Sequence, residues 1–238
     1  MENLYLDLLA QLGVSSAHPG GFSLTTHLLS YLPLSSQCSV LDAGCGTGRT
    51  AINIANKYGC HTVAIDLNPT MIAKAKQNIL RECATISLLQ GTVEALPFNS
   101  GTFDVVLSES VIAFTNVQQT IAELRRVLRP GGYLACIEMC VERQLRQEEQ
   151  DELRSVYGTK EFLTSMQWYY YLQQSGFSDI RMVEGSTIAT MLHSAQEVPS
   201  WDVSPSIPPS YMDLLEKHEK IIAKYQHVLG HRSFLCKK

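Results

Sequence analysis

Three glycines at alternate positions give this chain its strongest chemical signal. Gly44, Gly46 and Gly48 follow an apolar run that is predicted to be a buried strand, and a predicted helix begins directly after them. Glycine has no Cβ and reaches positive φ freely, so a ligand can lie against the bare backbone of such a turn. The free N–H groups at the start of the following helix can then hold a polar group. The spacing therefore predicts a ligand-binding turn.

An acidic side chain stands where it can complete this site. Asp66 lies at the end of the next predicted strand. A carboxylate there can accept hydrogen bonds from both ribose hydroxyls of a nucleoside, and the alternative is that it only caps a helix. A dinucleotide-binding turn needs its last glycine at position 49, which is Arg49, and the chain has no P-loop motif. The pattern predicts a nucleoside ligand without a pyrophosphate.

Five segments follow one another along the chain: residues 42–48, 66–71, 91–98, 103–108 and 124–132. Together they resemble the landmarks of class I S-adenosylmethionine-dependent methyltransferases, and in particular the methyltransferase-11 group. The resemblance implies a Rossmann-like α/β fold: a seven-stranded, mostly parallel sheet with helices on both faces and an antiparallel last strand. It also implies a methyltransferase that uses S-adenosylmethionine and releases S-adenosylhomocysteine.

Carried over to this sequence, the resemblance implies that residues in the first four segments contact the cofactor. One departure concerns Thr92, which stands where the family usually has the aspartate that holds the adenine amino group. Thr92 keeps an oxygen acceptor without the charge, and the Val93 backbone or the Glu94 carboxylate could take over; alternatively, Glu94 is a solvated loop acid. The cofactor-binding residues expected from the resemblance are Asp42, Gly44, Cys45, Gly46, Thr47, Gly48, Asp66, Leu67, Met71, Thr92, Val93, Glu94 and Ser108.

The residues that serve the methyl acceptor are less clearly defined, because methyl transfer mainly requires alignment in a pocket that holds little water. Glu109 follows the fourth predicted strand, at the edge where open α/β sheets bind ligands. It is a candidate base or ammonium partner, or only a helix cap. His18 can act as a base near neutral pH, or make a local turn hydrogen bond. It precedes Gly20 and Gly21, whose backbone can pass close to the cofactor. We expect catalytic roles for Glu109 and His18, and no metal site.

Apolar periodicity places these motifs on alternating strands and helices. In the middle of the chain, short apolar runs alternate with amphipathic ones, which is typical of βαβ units around a parallel sheet. The predicted strands are 38–42, 61–66, 86–90, 103–108, 133–139, 179–184 and 231–236, and the predicted helices are 3–12, 22–32, 50–58, 69–82, 117–128, 159–175 and 211–229.

These elements predict one domain in four parts. Residues 1–37 form a helical cap, 38–184 the cofactor-binding core, 185–230 an inserted lid and 231–236 the last strand. The insertion holds a proline-rich loop around Trp201 and a helix with an apolar face. The nearest open surface for that face is the carboxyl edge of the sheet. With the segment around His18, the insertion is expected to close over the site and exclude water.

Composition restricts the class of partner. The chain of 238 residues has 19 Lys or Arg and 23 Asp or Glu, a net charge of −4 that disfavours a nucleic-acid partner. It has no apolar run long enough for a membrane span. Its 7 cysteines include no Cys-x-x-Cys pair, which favours reduced thiols in a cytoplasmic protein. A small-molecule acceptor is expected, and a homodimer is left open.

Two other functions fit the same motifs. The fold also serves protein and nucleic-acid methyltransferases, although the segment from Ser108 to Val111 differs from the Asn-Pro-Pro-Tyr type of tetrapeptide used to methylate base amino groups. A module that binds the cofactor or a partner without turnover would keep the same glycine turn. Formation of S-adenosylhomocysteine in a metabolite extract separates an enzyme from such a module.

Overall fold

A seven-stranded sheet forms the centre of the molecule. A computed structural model describes residues 3–15, 18, 20–192, 202–204 and 208–238. The strands are β1 (Ser39–Ala43), β2 (His61–Asp66), β3 (Ile86–Gln90), β4 (Phe103–Glu109), β5 (Leu128–Val141), β6 (Ser178–Thr187) and β7 (Leu229–Lys237). They lie in the order β3-β2-β1-β4-β5-β7-β6. β1 to β5 pair in parallel, whereas β7 runs antiparallel to both β5 and β6. The predicted Rossmann-like sheet with an antiparallel last strand is confirmed.

Helices cover both faces of this sheet. Side chains alternate across a strand, so Val40 and Leu41 of β1 enter different cores. Val40 packs with α2 and α3, and Leu41 with α5 and α7. The described helices are α1 (Leu4–Leu12), α2 (Gly21–Leu29), α3 (Arg49–Tyr58), α4 (Pro69–Arg81), α5 (Val117–Val127), α6 (Gln147–Tyr157), α7 (Ser165–Gln174), α8 (Ile188–Leu192) and α9 (Ser210–Tyr225).

Three helices from distant parts of the chain form a third layer, the cap layer (α1, α6 and α9). It packs on the carboxyl end of β5 and the start of β7, where Val141 and Leu229 are buried. Each fully buried leucine stabilises such a layer by roughly 1.5–3 kcal/mol relative to an exposed one. The other buried side chains that join the layer include Leu8, Leu12, Leu153, Val156, Leu214 and Ile221.

Caps fix the start of the helices that border the sheet edge. The Asn68 carboxamide accepts hydrogen bonds from the backbone N–H groups of Thr70 and Met71, and Pro69 is the first residue of α4. Asn3 caps α1 in the same way. Asparagine favours the cap position and proline the first helical turn, so the predicted start of α4 is confirmed.

Several predicted bounds differ from the structure. Helix α6 was not predicted, because its sequence is mostly polar and buries only a short apolar stripe around Leu153 and Val156. Helix α7 begins after Thr164, which caps it, and not at 159. β6 continues to Thr187, beyond the expected end of the core at 184, and β7 extends the expected 231–236 at both ends. Trp201 and half of the proline-rich loop around it (residues 200, 201 and 205–207) lie outside the described residues. Among the described residues, none of the helices is long and apolar enough to cross a membrane.

Candidate functional site

The glycine turn lies against the end of β2. The backbone N–H groups of Gly44 and Cys45 both donate to the carbonyl oxygen of Ile65, at 2.8 and 3.0 Å. Gly46 has φ of +54°, and a Cβ built on it would meet nothing within 4 Å. The backbone at Gly46 therefore borders open space, which a ligand can enter without meeting a side chain.

The two flanking glycines serve packing instead. A Cβ on Gly44, which has φ of +85°, would collide with the side chain of Val111. A Cβ on Gly48 would lie 3.3 Å from the Cβ of Ala75 in α4. Of the three glycines, Gly46 thus offers the open backbone, while Gly44 and Gly48 let β4 and α4 come close to the turn.

Asp66 is joined to the turn by its own side chain. Its Oδ2 accepts a hydrogen bond from the Gly46 N–H at 2.8 Å, and its Oδ1 accepts one from the Asn68 N–H at 2.8 Å. Burial raises the pKa of Asp66, while these N–H donors favour the ionised form. Each carboxylate oxygen keeps a further lone pair, so Asp66 can still accept from ribose hydroxyls. Since Asn68 caps α4, Asp66 is not required for that task.

The residues expected near the adenine divide into two groups. Thr92 Oγ1 accepts from the Glu94 N–H at 3.2 Å, and Glu94 Oε1 accepts from the Asn116 N–H at 2.7 Å, next to the start of α5. Both side chains therefore shape the loop. Leu67 is 66% exposed beside Asp66, which leaves its apolar surface for a planar ring. Val93 is buried and apolar, so only its backbone N–H and carbonyl groups are candidates for binding the adenine.

His18 and Glu109 come together beneath α2. The Nε2 of His18 lies 3.7 Å from Glu109 Oε2 and 3.0 Å from Thr25 Oγ1. Glu109 Oε2 also accepts a hydrogen bond from Thr50 Oγ1 at 2.9 Å. The Thr50 hydroxyl belongs to the first turn of α3, directly after the glycine turn. The two candidate catalytic residues thus meet on the side of the glycine turn that faces α2 and α3.

Two carboxylates leave oxygens without a partner at this place. Asp42 Oδ2 and Glu109 Oε1 are both buried and make no hydrogen bond to the described residues. Burial, and then the charge of Glu109, raise the pKa of Asp42 well above its usual range. Unpartnered buried acceptors are costly, so this arrangement suits a ligand that brings a donor or a positive charge. The ammonium group of an amino acid has both properties.

The remaining expected contacts lie around this centre with other roles. Met71 is partly buried in the first turn of α4. Thr47 is buried, and its carbonyl oxygen accepts from Asn78 at 2.9 Å. Burial raises the pKa of the Cys45 thiol well above its usual range, which keeps the thiol protonated.

Ser108 is buried opposite Cys136, on the other side of β4 from Glu109. The last two, Gly20 and Gly21, have positive φ at the start of α2.

Sequence reasoning missed several residues of the site. Thr25 and Thr50 hold His18 and Glu109, and their spacing along the chain gives no signal of this. His231 of β7 is buried with both ring nitrogens unpartnered among the described residues. Glu138 was missed as well, although a single acid inside an apolar strand is itself a signal of a special partner.

Comparison with known proteins now defines the class. The family model described as a methyltransferase domain (methyltransferase-11) matches residues 41–136. The uncharacterized methyltransferase YodH of Bacillus subtilis is 32% identical over 234 residues, which cover 98% of this chain and 99% of that protein. A demethylmenaquinone methyltransferase of Lactococcus lactis is 32% identical over 157 residues, 61% of this chain and 62% of that protein. The chain belongs to the class I S-adenosylmethionine-dependent methyltransferases and is an enzyme of that class.

A solved structure agrees with this fold. A phosphoethanolamine N-methyltransferase of Haemonchus contortus, in complex with phosphomonomethylethanolamine and S-adenosylhomocysteine, superposes with a TM-score of 0.73 at 19% identity. The match covers 93% of this chain and 53% of that chain. S-adenosylmethionine is the cofactor of this family. The residues of the site fit this cofactor. The open backbone at Gly46 leaves room for it, and the Asp66 carboxylate suits its ribose hydroxyls. The two unpartnered carboxylate oxygens suit its ammonium group.

Proposed function

We propose that this enzyme methylates a small-molecule acceptor. The observation that carries the proposal is the cover over the carboxyl edge of the sheet. Asn68, beside Asp66, donates from its side chain to Asp7 Oδ1 of α1 at 3.0 Å. The cap layer thus begins next to Asp66, where we propose that the ribose binds, and a covered site of this kind suits a small acceptor better than a folded protein or a duplex.

A segment of the insertion extends the cover. The N–H groups of Asp202 and Ser204 donate to the carbonyl oxygens of Gly13 and Gln11, at 3.3 and 2.8 Å. The Lys74 ammonium of α4 bonds to the Asp202 carbonyl and lies 3.9 Å from its carboxylate. We propose that this segment, residues 202–204, acts with α1 as the lid that excludes water during transfer.

In the proposed function, residues of this chain bind the cofactor and orient it for transfer. The Asp66 carboxylate holds the ribose hydroxyls, and the Gly46 backbone passes along the ligand. Glu109 and Asp42 hold the ammonium group, and His18 supports Glu109 through their 3.7 Å contact. Bound in this way, the cofactor supplies the electrophilic methyl group. Because in-line displacement depends on alignment, the enzyme needs a base only for acceptors that must lose a proton.

One of the relatives reported above is consistent with this acceptor class. The name of the Lactococcus lactis relative gives demethylmenaquinone, a small molecule, as its substrate. The net charge of −4 gives no support to a nucleic-acid acceptor. A protein acceptor is the second candidate, since the same fold serves both.

The test is turnover in fractionated extract. Purified enzyme and S-adenosylmethionine are incubated with an ultrafiltrate, with the retained proteins or with nucleic acid, and S-adenosylhomocysteine is measured. We expect product only with the ultrafiltrate, and none from Asp66→Ala. Product only with the retained proteins would replace the small-molecule proposal with the protein one.

A further inference from the structure

A buried carboxylate holds the turn that follows β4. Glu138 of β5 is fully buried, at 0% exposure. Its Oε1 accepts hydrogen bonds from the backbone N–H groups of Val111 and Ile112, at 3.3 and 3.0 Å. Its Oε2 accepts from the Ala113 N–H at 3.1 Å. One side chain thus satisfies three successive backbone donors of the 3₁₀ turn Ile112–Phe114 and the residue before it.

These three N–H groups stabilise the ionised form of the buried Glu138 carboxylate. Taking a carboxylate out of water is costly unless hydrogen bonds or an opposite charge replace the lost solvation. Arg232, the residue opposite Glu138 in β7, directs its guanidinium to Glu142 and to the His231 carbonyl. Among the described residues, Glu138 forms no ion pair within 4.0 Å. Burial raises the pKa of Glu138 to about 7, while the three N–H groups and the Ser108 hydroxyl favour its ionised form. In that form its oxygens accept mainly from the turn, and charge-assisted bonds of this type are the strong ones.

The turn that Glu138 holds is part of the cofactor site. Val111 packs directly on Gly44, where a Cβ would collide with it. Ser110, between Glu109 and Val111, has φ of +55°, which is strained for a residue other than glycine. Its N–H donates to the Ile137 carbonyl at 2.6 Å, on the residue before Glu138. A shift of the turn would therefore move both Glu109 and the contact on the glycine turn.

We propose that Glu138 is a positioning residue for cofactor binding. Its carboxylate anchors Val111–Ala113, and this fixes the strained backbone at Ser110, the direction of Glu109 and the contact on Gly44. Glu138 does not touch the cofactor in this arrangement. It acts on the part of the site that faces the methionyl end, because Asp66 and the adenine loop are held by other residues. This inference rests on the cofactor site described above.

The test compares two ligands on matched variants. S-adenosylhomocysteine has the amino-acid end, and methylthioadenosine lacks it but keeps the adenosine. Glu138→Leu removes all three acceptor contacts, and Glu138→Gln keeps one acceptor oxygen. Glu149→Gln is the control, because Glu149 is also a buried carboxylate that accepts a backbone N–H, from Arg146 at 2.9 Å, but in α6. Calorimetry gives both affinities, and hydrogen exchange reports the amides of Val111 to Ala113.

We expect Glu138→Leu to weaken S-adenosylhomocysteine binding by at least about tenfold, equivalent to about 1.4 kcal/mol. Methylthioadenosine binding should change by less than about threefold (about 0.65 kcal/mol). Glu138→Gln should recover part of the loss, and only the Glu138 variants should speed exchange at the three amides. Equal weakening of both ligands, or wild-type affinity for both, would overturn the positioning role. If Glu138→Leu does not fold, the test uses Glu138→Gln alone. Wild-type affinities together with wild-type exchange rates at the three amides would then overturn the proposal. Failure of the wild-type enzyme to bind either ligand would instead refute the cofactor site itself.

Discussion

The Nε2 atom of His18 lies 3.7 Å from the Oε2 atom of Glu109, although the two residues belong to a loop before α2 and to the end of β4. Thr25 of α2 lies within hydrogen-bond distance of His18, and Thr50 of α3 donates to Glu109. The two side chains are only 1% and 10% exposed, and Glu109 lies on the same face of the sheet as Asp42. This position favours the role of Glu109 as an ammonium partner over its role as a base for the acceptor.

Replacing Glu109 should affect only ligands that carry the ammonium group. Glu109→Gln keeps an oxygen for the Thr50 hydroxyl but removes the charge. Hydrogen bonds to charged groups are worth about 1.5–3 kcal/mol, so S-adenosylhomocysteine should bind at least about tenfold more weakly. Calorimetry with methylthioadenosine should give nearly wild-type affinity. Asp66→Ala, in contrast, should weaken both ligands. Unchanged S-adenosylhomocysteine affinity in Glu109→Gln would remove Glu109 from the site.

Gly46 and Gly101 provide a matched pair of glycine substitutions. Both have positive φ, +54° and +71°, and a Cβ would meet nothing within 4 Å at either position. Alanine at each should therefore cost a similar backbone strain, about 1–2 kcal/mol. Only Gly46→Ala places its methyl group in the space proposed for the cofactor, and it should lose at least about tenfold in affinity. Similar affinities of the two variants, measured by calorimetry, would contradict the assignment of this space.

His231 should make stability depend on pH below neutrality. Burial, and then the charge of His18, lower the pKa of His231 to about 4. Between about pH 4 and 6.5 the unfolded chain binds more protons at this residue, so the stability it contributes is complete above 6.5 and is lost as the pH falls. The full change is roughly 3 kcal/mol. Urea unfolding of His231→Leu should show a shallower pH slope in that window.

The control for this measurement is the exposed His61 at the start of β2. His61→Asn also removes one histidine but leaves the buried site intact. Equal slopes for wild type and His231→Leu would mean that His231 is solvated or partnered in solution.

Lys74 should control the contact between the insertion and α1. Lys74→Met removes the ammonium that bonds to the Asp202 carbonyl. The Asp202 and Ser204 amides, which donate to Gly13 and Gln11, should then exchange about tenfold faster. Affinity for S-adenosylhomocysteine should stay within a few-fold of wild type, while turnover falls because water enters. The exposed Lys76 on the same helix gives the control, Lys76→Met. Full turnover by a Lys74→Met variant with fast exchange would rule out the lid.

The sheet and its bordering turns could be predicted because their signals are local. An apolar run that ends in Asp66, and an asparagine–proline pair directly afterwards, specify a strand end and a helix start without reference to the rest of the chain. The glycine turn is local in the same sense. β2 and β3 have the predicted bounds for that reason.

The partners of the polar side chains could not be predicted in this way. Glu94 was a candidate for the adenine, and its Oε1 also accepts a hydrogen bond from the Asn116 N–H, a partner that the sequence does not indicate. Likewise, the contact between His18 and Glu109 depends on where α2 crosses the sheet. A sequence gives the type of donor or acceptor at a position, whereas tertiary packing decides which group it meets.

The position of β7 has a consequence for synthesis of the protein. β7 lies between β5 and β6 in the sheet, so β6 pairs with β7 and not with β5. Until residues 229–237 have left the ribosome, β6 has no strand to join and the outer edge of β5 is open. The strands that carry the glycine turn, Asp66 and Glu109 are complete long before this point. A nascent chain could therefore hold its cofactor residues in place while still exposing an aggregation-prone edge, and chaperone binding would be most useful in that interval.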